Sequence, residues 1–97
     1  MVVRYDGPLQ TPDHHLEDWV VEALSERGGS APLIQVCKSV WDRHESELRS
    51  FGDAFYTWQY DIRWAAHRLR LRGILRSASL SPSGVWELAF RPQGPVE

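Results

Sequence analysis

The sequence predicts an α+β fold in which three helices are followed by a C-terminal β-hairpin. Two observations carry that prediction. Apolar residues recur at helical spacing in three stretches, two of them stopped by glycine, and after Gly73 the apolar period changes from 3.6 to two. A third observation limits the fold to one domain: 97 residues with 42% hydrophobic and 25% charged side chains suit a single packed core rather than a disordered chain.

Residues 1–10 show no sustained period and carry Gly7 and Pro8, so they read as a flexible arm. The tail 91–97, with Pro92, Gly94 and Pro95, reads likewise, which leaves 11–90 as the ordered domain. Thr11, Pro12 and Asp13 form a helix start: a capping oxygen, a proline whose missing N–H is no loss, and an acid at the positive dipole end. Leu16, Trp19, Val20, Ala23 and Leu24 then make one face, and Gly28-Gly29 supplies the stop.

Ser30 and Ala31 are too few to read as a strand, and Pro32 suits the opening of a second helix that carries Leu33, Val36, Cys37, Val40 and Trp41. From Glu45 to Phe51 the sequence allows two courses, prolongation of this helix through Leu48 or a separate turn before Gly52, and a break is the preferred reading. Asp53 then caps the third helix, whose stripe is Phe55, Trp58, Ile62, Ala65, Ala66 and Leu69. The last element is the hairpin. Ile74 and Leu75 lead to Ser81-Pro82-Ser83-Gly84, read as a type I turn, and Trp86, Leu88 and Phe90 alternate onto one face. Trp19, Val40, Ile62, Leu69, Trp86 and Leu88 are expected in one buried cluster. Three helices and then a hairpin is the order of a winged helix-turn-helix.

Charge is segregated along the chain. The net charge is −2, but residues 1–61 hold five basic and eleven acidic side chains, whereas 62–97 hold six basic and two acidic. Between Asp61 and Glu87 there is no acid, while Arg63, Arg68, Arg70, Arg72 and Arg76 all fall in that window. The outer face of the third helix carries Tyr60, Arg63, Trp64, His67 and Leu71, a mixture of aromatics and cations unlike an ordinary solvated face. Double-stranded DNA is the expected partner. A helix fits the major groove, about 12 Å wide, and arginine reads guanine bidentately. Tyr60, Arg63, His67 and Arg70 form the expected DNA face, with Arg63 the candidate for base readout. Arg68, Arg72, Arg76, Ser81 and Ser83 are expected to contribute phosphate contacts.

Ile62-Arg63-Trp64-Ala65, then Leu69, Gly73, Leu75 and Gly84-Val85-Trp86-Glu87-Leu88, resemble the Mrr-type winged-helix domain found fused to restriction endonucleases. The resemblance covers about half the chain closely, and Gly28-Gly29-Ser30-Ala31 is similar to that family's first turn; the segment 45–55 departs from its pattern. It implies sequence-specific or modification-sensitive DNA binding by the third helix and the wing, in company with an effector domain or partner. Separately, the small footprint of a lone module on DNA, about 600–1,000 Å², makes a second copy or a larger partner an expected companion.

No catalysis, cofactor or metal is expected. There is no glycine-rich phosphate loop and no cluster of Asp, Glu and Lys to hold a catalytic Mg²⁺. His14 and Asp18 share a helix face but lack a completing ligand pair, and Cys37 with His44 lacks an oriented third group. A lone cysteine excludes an internal disulfide, and the absence of a signal-peptide core or long apolar run points to the cytoplasm and, with DNA, the nucleoid. The competing reading is a protein-interaction module that uses Asp13, Glu17, Asp18, Glu22 and Glu26 on the first helix.

Overall fold

A computed structural model describes residues 12–89. Thr11, Phe90, the arm 1–10 and the tail 91–97 lie outside the described residues. The architecture is α+β: α1 (Pro12–Glu26), β1 (Ser30–Pro32), α2 (Leu33–Arg49), α3 (Trp58–Leu71) and β2 (Val85–Glu87), with short 3-10 turns at Gly52–Tyr56 and Ala78–Leu80. The two strands form an antiparallel sheet.

Both glycine stops act through the same local chemistry. At the end of α1, Gly28 N–H donates to Ser25 C=O and Gly29 N–H to Leu24 C=O. At the end of α3, Gly73 N–H donates to Arg70 C=O and Ile74 N–H to Leu69 C=O. This is the Schellman pairing, which satisfies the last carbonyls and needs a left-handed residue just beyond the helix. Gly28 (φ 83°) and Gly73 (φ 78°) supply it.

Four expectations are corrected. Ser30–Pro32 is a strand, because its partner lies far along the chain: Ser30, Ala31 and Pro32 face Glu87, Trp86 and Val85. Pro32 ends the strand, where its missing donor costs no ladder bond. The 74–89 segment does turn back on itself, but only the Leu75–Leu88 bridge joins its two arms, with Arg76 N–H to Glu87 C=O and Ala89 N–H to Ile74 C=O. Its turn is also shifted by one residue: Val85 N–H donates to Pro82 C=O, which puts Gly84 (φ 78°) in the third position, where a type II turn requires positive φ.

The third correction concerns the end of α2. The expected break is a kink at His44 (φ −126°, ψ 27°), after which the helix runs on to Arg49 and buries Leu48 completely. Tertiary contacts hold this bend. The His44 ring stacks on Trp19 at 4.0 Å between centroids, with planes 8° apart, and its nitrogens meet Glu22 (2.6 Å) and Glu47 (3.3 Å). Fourth, Asp53 and Phe55 belong to the 3-10 turn, and α3 is entered through Thr57, whose hydroxyl donates to Asp61 (2.8 Å).

The core is one cluster. Leu16, Val20 and Leu24 of α1 meet Val36, Val40 and Leu48 of α2 and Ile62, Ala65, Ala66 and Leu69 of α3, closed by Leu75, Trp86 and Leu88. Trp19, Val40, Ile62, Leu69, Trp86 and Leu88 all lie in it, as the sequence predicts. The small buried Ala65 and Ala66 leave room for α1 to lie close along α3, since helix separation follows side-chain size at the contact. With one face of α3 spent on the core, the other is presented outward.

Candidate nucleic-acid interface

The outer face of α3 is built by the same periodicity that buries its inner face. Tyr60 (62% exposed), Trp64 (50%) and Leu71 (73%) stand out from the surface, and Arg63 and His67 are exposed beside them. Tyr60 meets Trp64 edge to face (6.5 Å, 70°), and Trp64 meets His67 in the same way (6.0 Å, 89°), an arrangement favoured by the ring quadrupoles. Tyr60, Arg63 and His67 are therefore brought together as expected.

The remaining expected residues divide differently. Arg68 and Arg72 turn towards α1, where Arg68 Nε and an Arg72 terminal nitrogen each donate to a separate oxygen of Glu17, both at 2.5 Å. Arg70 is half-buried, with its guanidinium 5.9 Å from the centre of the Trp86 ring and its Nε without a hydrogen-bond partner among the described residues. Arg76 lies 3.5 Å from Glu87, which also accepts from the Ser81 hydroxyl at 2.8 Å. Ser83 is exposed at the tip. The cationic window read from the sequence is thus largely neutralised by acids from distant segments, since an opposite charge within about 4 Å cancels much of the local field.

The acids of α1 are engaged in the same way. Glu17 holds Arg68 and Arg72, Glu22 meets Arg43 and His44, and Glu26 pairs with Arg43. Among the described residues there is no group of three or more His, Cys, Asp or Glu placed to hold a metal ion. His44 is committed to Glu22 and Glu47 rather than to Cys37.

Sequence reasoning missed a second feature: an open groove of about 950 Å³ between α2 and α3, with Trp41, Phe55, Tyr56 and Trp58 among its walls and Cys37 half-buried in it. The density of aromatics from Trp41 to Trp58 is the signal that could have found it. Burial pushes the Cys37 thiol up from its ordinary value, with nearby Arg63 opposing that shift. Alkylation by iodoacetamide near pH 8 is therefore expected to be slower than for a free thiol, because the thiolate is the nucleophile. Removing the opposing charge with Arg63→Ala should slow it further. Faster alkylation in that variant, measured by mass spectrometry on folded protein, would show that Arg63 does not act on this thiol.

Comparison with protein-family models, with curated proteins and with solved structures gives no match to this chain.

Proposed function

We propose that the chain is a winged-helix module that binds double-stranded DNA, with α3 in the major groove and the 74–89 segment against the backbone, acting as a reader or regulator without catalysis. The observation that carries this reading is the outer face of α3, where Tyr60, Arg63 and His67 are presented together and outward, clear of the core. The order of elements supports it, as does the resemblance, whose two best-matched stretches fall on α3 and on β2. Arg63 is the base reader: it is exposed near the middle of α3 and has no carboxylate partner among the described residues.

Because Arg68, Arg72 and Arg76 already face carboxylates, few phosphates are neutralised and the salt dependence of binding is modest, about one logarithmic step per phosphate contacted. A single module also buries only about 600–1,000 Å² on DNA, so a second copy or an effector protein completes the affinity. Selection from a random duplex library, followed by anisotropy on the selected site, tests the reading. Arg63→Ala is expected to cost about 1–3 kcal/mol and relax preference at one position. Arg76→Ala should weaken all sequences alike but only slightly, lowering the salt slope by well under one, because Arg76 already faces Glu87 at 3.5 Å. If no duplex is enriched, or if both variants bind like the parent, the reading is wrong.

One observation favours a second reading, a protein-interaction face: Leu71 and Trp64 leave apolar surface on α3 uncovered by other described residues. It predicts self-association or partner capture that Leu71→Glu abolishes while duplex affinity stays unchanged. Among the described residues no helix is long and apolar enough to cross a membrane.

A further inference from the structure

We propose that the groove between α2 and α3 is a second nucleic-acid site, which takes a short stretch of single-stranded DNA with its bases laid on the aromatic walls and its phosphates along a cationic rim. The proposal does not rest on duplex binding by the outer face of α3, although Arg63 borders both surfaces.

Three observations point to this chemistry. First, ring faces are concentrated there. The half-buried Trp41 is backed by Trp58, which is only 4% exposed, with planes 7° apart and centroids 6.3 Å apart, and Phe55 meets Tyr56 edge to face at 5.1 Å (75°). Tyr56, at 82% exposed, projects a nearly uncovered ring. Second, the rings are braced. The Arg49 guanidinium sits 5.3 Å from the centre of Trp41 and 5.4 Å from that of Phe55, and is itself tied to Glu45 at 2.9 Å. A platform held in place loses little freedom when a base stacks on it.

Third, the charge is selective. Arg43, Arg49, Arg68, Arg72 and Arg76 each face a carboxylate within 4 Å. Among the described residues, Arg27, Lys38, Arg63 and Arg70 have no such partner, and three of these four, Arg27, Lys38 and Arg63, line this groove. Arg27 uses its Nε on the Ser39 hydroxyl (2.9 Å), which leaves its terminal nitrogens to point elsewhere. Asp42 is the one carboxylate on the lining.

A groove that combines planar rings with unneutralised cations suits a ligand that alternates planar bases with single negative charges. Single-strand binders work in this way, with stacking contributing base by base and phosphate contacts following the backbone. A duplex cannot use such a surface, because its base faces are covered by their neighbours and reach a protein ring only when unstacked. Uncovered apolar side chains such as Ile34 (64% exposed) also suit an acidic, aromatic-bearing peptide, but rings outnumber aliphatic side chains on the walls, which favours bases.

The test titrates the full chain with a short oligothymidylate at low salt, following tryptophan fluorescence, to which Trp41 and Trp58 contribute from the groove, and anisotropy of the labelled strand. Saturable quenching is expected. Tyr56→Ala should weaken strand binding by about tenfold or more; so exposed a ring can be removed without unfolding the chain, and circular dichroism checks this. Lys38→Gln should lower the salt slope by about 0.7, the loss of one phosphate contact on a single strand. Tyr60→Ala, on the outer face, should leave strand binding unchanged.

The proposal is overturned if oligothymidylate neither quenches nor binds, or if Tyr60→Ala weakens the strand as much as Tyr56→Ala. It is overturned equally if an acidic phenylalanine-bearing peptide saturates the fluorescence while the strand does not. Duplex binding that survives in Tyr56→Ala while strand binding is lost supports two separate sites. Loss of duplex binding alone counts against the outer face and not against the groove.

Discussion

Truncating Leu69 to alanine is expected to destabilise the protein by about 2–5 kcal/mol, the range for a buried leucine whose site relaxes only partly around the cavity. Leu69 is 2% exposed and lies in the core cluster formed by all three helices and the C-terminal segment. Total stabilities of domains this size are about 5–15 kcal/mol, so the loss removes a large share. Each kcal/mol should lower the melting temperature by about 4–8 °C. Leu71 supplies the internal control: it sits two residues further along the same helix, yet it is 73% exposed. Leu71→Ala is expected to stay within about 0.5 kcal/mol. Urea denaturation of both variants checks the rotational phase of α3, and equal losses at the two positions would show that the helix is turned differently from the description above.

The second large effect is expected at Glu17, where one carboxylate serves two arginines 51 and 55 residues away. The Glu17 side chain is only 13% exposed and Arg68 34%, so the Arg68 bond lies partly out of water. Arg72, at 59%, is more screened and contributes less. Glu17→Gln keeps the shape and removes the charge. It is expected to cost about 1–3 kcal/mol, mostly through Arg68, because hydrogen bonds to charged groups are worth more than neutral ones. The same change leaves two guanidinium groups without this carboxylate on the C-terminal half of α3. On the DNA reading, duplex affinity should therefore rise, and the salt slope steepen by up to about one for each phosphate recruited. A less stable protein that binds DNA more tightly would be hard to explain unless Glu17 competes with phosphate for Arg68 and Arg72. If stability were unchanged, the three-residue ion pair would contribute nothing in solution.

Periodicity in the sequence was enough to place three helices, their two glycine stops and most of the core they contribute, but not the end of α2, the start of α3, or the core positions Ala31 and Leu48. The features it placed depend on local chemistry and on the 3.6-residue repeat, both of which operate within about twenty residues. Trp58, Ile62, Ala65 and Leu69 are buried because they share one side of a helix, and for the same reason Tyr60, Arg63 and His67 are left on the other. Tertiary structure decided everything that needed a partner from elsewhere. Ser30–Pro32 is a strand only because Val85–Glu87 supplies its hydrogen bonds, and α2 runs past His44 only because Trp19 and Glu22 clamp the bend. The same holds for charge. Counted along the chain, Arg63 to Arg76 is an uninterrupted basic window, but folding brings Glu17 and Glu87 against Arg68, Arg72 and Arg76 and leaves Arg63 unpaired among the described residues. Charge along a sequence counts residues, whereas the field a ligand meets falls off with distance in space, and only the fold sets those distances.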